Sequence, residues 1–248
     1  MIDLHCHILP YLDDGPQSPE ESLSMAKEAV EDGISVITAT PHTLNGVYLN
    51  PAQKITKSVA ALQDLLVKNN IPLQMCLGAD VHLCPDMLAH IESGEAMTIN
   101  NAGKYLLLEF PAQSIPPGAK DEIFRLKLNG ITPIITHPER NLMIQKDIHI
   151  LYEFVNLGAL SQVTAMSITG DFGPIVRNCV QELLERRLAH IIASDAHSPD
   201  DRPPLLSEAL EEAADMLESY EEAEQMVTLV PAAIIAGEGV EIQEPERM

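Results

Sequence analysis

The sequence predicts an α/β fold, a parallel barrel in which seven strands alternate with helices. Apolar runs recur about every 30 residues, with segments of helical spacing between them. Several runs are rich in Ile, Val and Leu and lack period-2 alternation, which is typical of strands buried on both faces. Polar residues follow the ends of these runs, where parallel barrels carry their active sites. The runs cover residues 2–7, 34–40, 73–78, 105–110, 131–136, 160–164 and 190–194.

Helices are predicted between the runs from their terminal residues and their apolar spacing. The first helix is predicted to begin after the N-cap Ser18, with Pro19 at the first helical position and Glu21 completing a capping box. Gly33 lies just past its end. Residues 51–69 and 205–217 show helical spacing, and the acidic stretch 208–224 is typical of a solvated helix face. No change of composition marks a boundary, so we expect residues 1–248 to form a single domain.

Length, composition and charge exclude several classes of protein. With 248 residues, of which 46% are hydrophobic, the chain is long enough to bury a sizeable core. Its formal net charge is −22, from 15 Lys and Arg against 37 Asp and Glu, and it has no basic cluster that could displace the counterions of a nucleic acid. No apolar run approaches the roughly 20 residues that span a bilayer. We therefore expect no nucleic-acid partner and no membrane insertion.

The start of the chain and its cysteines predict a cytoplasmic location. The sequence reaches His5 without room for a signal peptide. The four cysteines are scattered in apolar surroundings, at Cys6, Cys76, Cys84 and Cys179. In a chain without an export signal, such cysteines are expected to be reduced core thiols rather than disulfides.

Residues that bind divalent metals lie at or beyond the ends of the predicted strands. His5 and His7 are two positions apart on the first strand, so both imidazoles face one side while Cys6 faces the other. Four of the later runs are followed by His42, Asp80, His137 and Asp195, with His197 two residues after Asp195. Glu109 lies at the end of another run, directly after three leucines. Imidazole and carboxylate together suit Mn²⁺, Fe²⁺ or Zn²⁺. The sequence therefore predicts a multinuclear metallohydrolase.

Some of these residues also have a purely structural interpretation. Asp13 and Asp14 precede Gly15 and could be turn formers. Asp80 could be an ordinary loop residue. His82, two positions further on and able to face the same side, is then a candidate metal ligand. Glu109 follows three leucines, where a metal or a structural ion pair would account for a carboxylate.

Two arginines are candidates for binding a phosphate group. Arg140 lies three residues after His137, and Arg202 lies five residues after His197, both in loops at the predicted active end. A guanidinium group matches the oxygens of phosphate with two parallel hydrogen bonds. The alternative is that both arginines form salt bridges with nearby carboxylates.

The motifs taken together resemble the polymerase-and-histidinol-phosphatase (PHP) family, and most closely its bacterial tyrosine-protein phosphatase branch of capsule and exopolysaccharide synthesis. They are His5-x-His7, Asp13-Asp14-Gly15, Thr40-Pro41-His42, Gly78-Ala79-Asp80, Leu108-Glu109, Gln162-Val163-Thr164-Ala165, His137-Pro138-Glu139-Arg140, Ser194-Asp195-Ala196-His197 and Arg202-Pro203-Pro204. The resemblance runs from residue 1 to about residue 235. It implies a distorted, TIM-like (β/α)7 barrel.

The resemblance also implies a cofactor, a ligand set and a substrate. The cofactor would be a cluster of up to three divalent ions, usually manganese, with Fe, Zn or Mg also possible. The substrate would be a phosphotyrosine protein, the tyrosine-rich tail of a bacterial tyrosine kinase. The implied metal ligands are His5, His7, Asp14, His42, Glu109, His137, Asp195 and His197. Asp80 stands where the branch usually has glutamate.

The expected chemistry is hydrolysis of phosphotyrosine by a metal-bound hydroxide, because divalent ions lower the pKa of bound water. Arg140 and Arg202 would orient the phosphate. His42 or His197 could protonate the leaving phenolate if metal does not fully occupy it. A thiol mechanism is excluded, because no cysteine in the sequence is followed six positions later by arginine.

Three other functions remain as alternatives. One is a PHP phosphoesterase that acts on a small metabolite such as histidinol phosphate or a nucleotide. Another is a metallohydrolase of the amidohydrolase type, which is disfavoured because the sequence offers no bridging-lysine candidate. The last is a module that docks on a kinase and regulates it without catalysis.

Overall fold

The computed structural model describes residues 1–245, and all of its strand pairs there are parallel. They form two sheets, with the orders β1-β2-β4 and β3-β5-β6-β7-β8-β9. The strands are β1 Ile2–Cys6, β2 Val36–Ala39, β3 His42–Thr43, β4 Gln74–Leu77, β5 Asp80–His82, β6 Tyr105–Glu109, β7 Thr132–Thr136, β8 Leu160–Thr164 and β9 Ile191–Ala193. Each of the seven predicted runs contains a strand, so the predicted α/β class is confirmed.

Two of the predicted runs differ from the structure, because each continues into a second short strand. The run at 34–40 becomes β2 and leads into β3, and the run at 73–78 becomes β4 and leads into β5. Gly78 lies at the second of these breaks. A Cβ atom there would lie 2.9 Å from Thr38 Cγ2 and 3.0 Å from Thr40 Cγ2, so the two segments approach too closely for a side chain. The breaks carry the chain from one sheet into the other.

Backbone hydrogen bonds also join β1 to the residues that follow β9. The Asp195 N–H donates to His5 O at 2.8 Å, and the His7 N–H donates to Ala196 O at 2.8 Å. Cys6 and Ala196 form an isolated parallel bridge between these bonds. The strand segments therefore follow one another around a distorted parallel barrel, as predicted.

The helices lie between the strands. They are α1 Pro19–Glu31, α2 Ala52–Lys68, α3 Met87–Ser93, α4 Ala119–Leu128, α5 Leu142–Lys146, α6 His149–Asn156, α7 Ala165–Thr169, α8 Pro174–Glu185, α9 Ser207–Leu217, α10 Tyr220–Val227 and α11 Leu229–Ala236. Two 3₁₀ helices cover Ile99–Asn101 and Pro138–Arg140. Among residues 1–245, no helix is long and apolar enough to cross a membrane.

The predicted start of α1 is confirmed, with one difference in its capping box. Ser18 Oγ accepts a hydrogen bond from the Glu21 N–H at 3.2 Å, as an N-cap does. The Glu21 carboxylate accepts in return from the Gln17 N–H at 2.7 Å rather than from the N-cap residue itself. The bond to Ser18 satisfies a donor that the first helical turn would otherwise leave unpaired, and the bond from Gln17 ties the residue before the N-cap to the helix.

A layer of apolar side chains fills the inside of the barrel below the site. One buried cluster includes residues from five strands: Leu4, Leu107, Ile134, Leu160 and Ile191. Residues two positions apart on a strand face the same side. In β6, β7 and β8 the residue two positions beyond this layer is polar, at Glu109, Thr136 and Gln162. The inward face of these strands therefore changes from apolar to polar towards their carboxyl ends.

Candidate metal centre

The nine predicted metal ligands lie together at the carboxyl end of the barrel. Each of them has a nitrogen or oxygen atom within 4 Å of a ligand atom of another member. They are His5, His7, Asp14, His42, Asp80, Glu109, His137, Asp195 and His197. His42 and Asp80 begin the short strands β3 and β5, whereas the sequence had placed them in loops after longer strands.

The first group of potential ligands is His7, Asp14, His42 and His197, whose ligand atoms all lie within 4.8 Å of one another. Asp14 Oδ1 lies 3.7 Å from His42 Nε2 and 3.5 Å from His197 Nε2. The Asp14 side chain is 53% exposed, so this group forms the open side of the centre.

Two further groups lie deeper and share Asp80. One is His5, His7 and Asp80, and the other is His42, Asp80 and Glu109. Asp80 Oδ2 lies 3.2 Å from His42 Nδ1, and both atoms are buried with no hydrogen-bond partner among the described residues. A divalent cation would satisfy both atoms, so the donor set fits a metal. A neutral imidazole offers one lone pair, so His42 would bind a metal ion in only one of the two groups to which it belongs.

Hydrogen bonds orient three of the imidazoles so that Nδ1 donates and the Nε2 lone pair is free for a metal. His5 Nδ1 donates to Gln162 Oε1 at 2.8 Å, and His7 Nδ1 donates to Asp13 Oδ2 at 2.7 Å. His197 Nδ1 donates to the Asp195 carbonyl oxygen at 2.9 Å. The three side chains are thereby preset as Nε2 ligands.

Asp13 and Asp14 have different roles in this geometry. Asp13 is buried, and its carboxylate also accepts from the His42 N–H at 2.9 Å and from the Gly15 N–H at 3.0 Å. Its hydrogen bonds hold His7 rather than a metal, while Asp14 Oδ1 faces two imidazoles. This arrangement fits the choice of Asp14 as the ligand.

The electrostatics of the centre favour bound cations. Burial lowers the pKa of the His7 imidazole, but Asp13 and Asp195 outweigh burial and raise that pKa to about 10. Burial and the nearby Arg140 lower the pKa of His137 to about 3, so its imidazole is neutral, as a metal ligand must be. The field that raises the pKa of His7 would equally attract a metal ion.

Two ligands occupy an uncommon backbone conformation. His137 has φ 35° and Asp195 has φ 50°, in the left-handed region that few non-glycine residues adopt. Backbone hydrogen bonds hold both, from the His137 N–H to Gln162 O at 2.8 Å and from the Asp195 N–H to His5 O at 2.8 Å. Strained residues of this kind cluster at functional sites.

The two candidate arginines converge on Asp195. Arg140 Nη1 donates to Asp195 Oδ2, and Arg202 Nη2 donates to the same oxygen at 2.5 Å and to the Asp195 carbonyl at 2.8 Å. Burial raises the pKa of the Asp195 carboxyl, but His5, His7 and Arg202 outweigh burial and hold it well below its ordinary value. Asp195 Oδ1 lies 3.4 Å from both His5 Nε2 and His7 Nε2, so this residue links the arginines to the candidate metal ligands.

The cysteines do not supply a nucleophile to the site. All four are free, and Cys6 belongs to the apolar core behind β1, as predicted. Burial raises the pKa of the Cys6 thiol well above its ordinary value and that of Cys179 to about 12. A thiolate is the reactive form, so these thiols are inert near neutral pH.

The sequence interpretation missed several residues that support the ligands. Gln162 orients His5, and Thr136 Oγ1 donates to Asp80 Oδ1 at 3.2 Å. The available signal was a polar residue inside a buried apolar strand, where a polar group needs a partner. His82, the reserve candidate, lies 3.4 Å from Glu109 Oε2 through its Nδ1 atom.

Comparisons with known proteins agree with this geometry. The family model described as "Capsular polysaccharide synthesis, CpsB/CapC" matches residues 1–236. The tyrosine-protein phosphatase YwqE of Bacillus subtilis is 39% identical over 210 residues, covering 85% of this chain and 82% of the relative. The tyrosine-protein phosphatase CpsB of Streptococcus agalactiae is 31% identical over 214 residues, covering 84% of this chain and 88% of the relative.

Solved structures show the same fold. A crystal structure from work on YwqE of Bacillus subtilis and CpsB of Streptococcus pneumoniae, described as unique metal-dependent tyrosine phosphatases, matches with a TM-score of 0.95 and 34% identity. This match covers 100% of the present chain and 99% of the chain in the crystal structure. A phosphotriesterase of Mycobacterium tuberculosis matches with a TM-score of 0.57 at 14% identity, covering 94% of this chain and 93% of the other, which shows similarity of fold alone. The chain belongs to the CpsB/CapC family of capsular polysaccharide synthesis proteins.

Proposed function

We propose that this chain is a metal-dependent protein-tyrosine phosphatase of capsule or exopolysaccharide synthesis. The observation that carries the proposal is the cluster of nine imidazole and carboxylate side chains beside two arginines. The names of the relatives, which are tyrosine-protein phosphatases, support it. Burial raises the pKa of the Cys6 thiol beside the site and disfavours its thiolate form, which supports a metal rather than a cysteine mechanism.

In this proposal the nine ligands hold up to three divalent ions, which we propose to be manganese, with Fe, Zn and Mg as alternatives. When bound, such ions polarise the phosphoryl oxygens and lower the pKa of a bound water. Asp13 and Gln162 keep the His7 and His5 rings in the orientation that binding requires.

Arg140 and Arg202 bind the phosphate of the substrate. Each guanidinium has five N–H donors and uses few of them on Asp195, so donors remain for phosphate oxygens. Arg202 Nε is buried and has no acceptor within residues 1–245. A buried donor without a partner is costly, and a phosphate oxygen would satisfy it.

His42 and His197 flank Asp14 on the open side of the centre, and either imidazole would protonate the leaving phenolate only if a metal ion does not fully occupy it. The pKa of a tyrosine phenol is near 10, so the phenolate leaves readily and this contribution is small. We further propose that the chain is a single cytoplasmic domain and that its substrate is the phosphotyrosine tail of a bacterial tyrosine kinase.

The test is hydrolysis of a panel of phosphoesters by protein loaded with Mn²⁺. We expect turnover of phosphotyrosine peptides, loss of activity with EDTA and its return with Mn²⁺. His137→Ala should lose activity, while the matched control His149→Ala, outside the cluster, should retain it. Preference for histidinol phosphate or a nucleotide would favour the small-metabolite phosphoesterase. Trapping a phosphocysteine would overturn the mechanism.

A further inference from the structure

The ring of Phe172 lies against both arginines of the proposed phosphate site. The Arg140 Cζ atom is 5.0 Å from the ring centroid, and the Arg202 Cζ atom is 6.0 Å from it. Both distances are within the range of about 6 Å over which an aromatic face attracts a cation. Phe172 is partly buried, so water does not fully screen the attraction.

A tight turn fixes the position of this ring. Phe172 lies between α7 and α8, flanked by Gly170 with φ 95° and Gly173 with φ 91°. The Gly173 N–H donates to Gly170 O at 2.8 Å, and the Asp171 N–H donates to Met166 O at 3.0 Å. Only glycine adopts such φ values without strain, so the two glycines define the turn that presents the ring.

The two guanidinium groups need such support because they are like charges held close together. Both donate to the same oxygen, Asp195 Oδ2, and Asp195 also faces the candidate metal site. Divalent ions on that carboxylate would add positive charge beside the arginines. The aromatic face of Phe172 adds attraction to both guanidinium groups without supplying a second carboxylate that would repel phosphate.

We propose that Phe172 is a positioning residue whose ring face holds Arg140 and Arg202 side by side in the geometry that binds a phosphate group. The inference rests on the proposed function, because it assigns the residue that shapes the phosphate site of that enzyme. Phe172 acts through the two arginines, whose Cζ atoms lie 5.0 Å and 6.0 Å from its ring centroid.

Two variants separate the ring face from simple packing. Phe172→Leu keeps an apolar side chain but removes the aromatic face. Phe172→Tyr keeps the face. We expect Phe172→Leu to weaken orthophosphate binding by about tenfold, which corresponds to about 1.4 kcal/mol, and Phe172→Tyr to bind as the unaltered protein does. Phe124→Leu, on the exposed side of α4, is the matched control.

The experiment measures orthophosphate affinity by calorimetry on Mn²⁺-loaded protein, together with metal content. Kinetics on a phosphotyrosine peptide should show a raised KM for Phe172→Leu, a smaller change in kcat and unchanged metal content. Equal losses in the leucine and tyrosine variants would assign the effect to packing and overturn the proposal. Unchanged orthophosphate affinity in Phe172→Leu would also overturn it.

The orthophosphate measurement keeps this inference separable from the proposed function. In one outcome the protein fails to hydrolyse phosphotyrosine, while Phe172→Leu still loses orthophosphate affinity and Phe172→Tyr keeps it. The proposed substrate is then wrong, and the role of Phe172 stands. Should phosphotyrosine turnover be normal in all variants with equal orthophosphate affinities, the role of Phe172 is wrong and the proposed function stands.

Discussion

Replacing Asp80 with asparagine removes one buried charge from the metal centre with little change of shape. Asp80 is fully buried, and its Oδ1 atom accepts a hydrogen bond from Thr136 that an amide oxygen could keep. Its Oδ2 atom lies 3.2 Å from His42 Nδ1 and 3.8 Å from His5 Nε2, so it faces two groups of potential ligands at once. The variant therefore tests whether this charge holds a cation.

The size of the effect follows from the charge that is lost. Two unit charges about 4 Å apart interact by about 4 kcal/mol at an effective dielectric constant of about 20. That energy corresponds to a change in affinity on the order of 1000-fold. A divalent ion at ligand distance carries more charge and lies closer, so we expect Asp80→Asn to weaken Mn²⁺ binding by at least this factor at one site.

The assay is a Mn²⁺ titration of metal-stripped protein, followed by activity and by metal content after dialysis. Asp64→Asn, an exposed carboxylate on α2, controls for the change of net charge. If Asp80→Asn and Asp80→Ala both keep full metal content and full activity, Asp80 is not a ligand. His82, which lies 3.4 Å from Glu109, then becomes the next candidate.

The opposite change lengthens the side chain at the same position. Glutamate, the residue that the PHP phosphatase branch usually has here, is longer by one carbon–carbon bond of about 1.5 Å. Metal–ligand distances tolerate only about ±0.2 Å, so at least one site should be weaker or partly occupied with Asp80 in place. We expect Asp80→Glu to leave activity intact at saturating Mn²⁺ and to lower the Mn²⁺ concentration needed. A higher requirement for Mn²⁺ would contradict this reasoning.

Four further substitutions test other parts of the account. Arg140→Ala and Arg202→Ala should each weaken orthophosphate binding by about 1.5–3 kcal/mol with unchanged metal content, and loss of metal in both would refute the phosphate assignment. Asp13→Asn should weaken Mn²⁺ binding by about 10–100-fold, measured by titration, because the charged partner of His7 is lost. Gly78→Ala should lower the free energy of unfolding by about 1–3 kcal/mol in denaturant titrations, since its Cβ would overlap neighbouring side chains, and an unchanged midpoint would contradict this.

The sequence predicted the barrel and most of the candidate ligand positions for one physical reason, whereas Asp14 was chosen by resemblance to the PHP family. Side chains at the carboxyl ends of parallel strands converge on one face of the barrel. Residues that follow successive apolar runs can therefore be assigned to one site without knowing the distances between them. His42, Glu109 and His137 follow this rule and lie within 4 Å of other cluster members. That these residues bind metal stays a prediction.

What the sequence could not predict depends on contacts between distant segments. The sequence does not distinguish Asp13 from Asp14, which are adjacent carboxylates before a glycine. The structure shows that Asp13 accepts a hydrogen bond from His7, whereas Asp14 lies in the open group of potential ligands with His42 and His197. The pairing of both arginines with Asp195 also joins loops that follow different strands. At the break beside Gly78 the two strand segments approach too closely for a side chain, and apolar patterning does not encode such a contact.

The most direct test of the central claim is metal content measured against phosphotyrosine turnover in one series of samples. Protein purified without chelator would be stripped and then reloaded with Mn²⁺ in steps, with the bound metal and the rate on a phosphotyrosine peptide measured at each step. The account predicts no turnover in the stripped protein and a rate that rises with bound metal, up to three ions per chain. Full turnover by metal-free protein would contradict it.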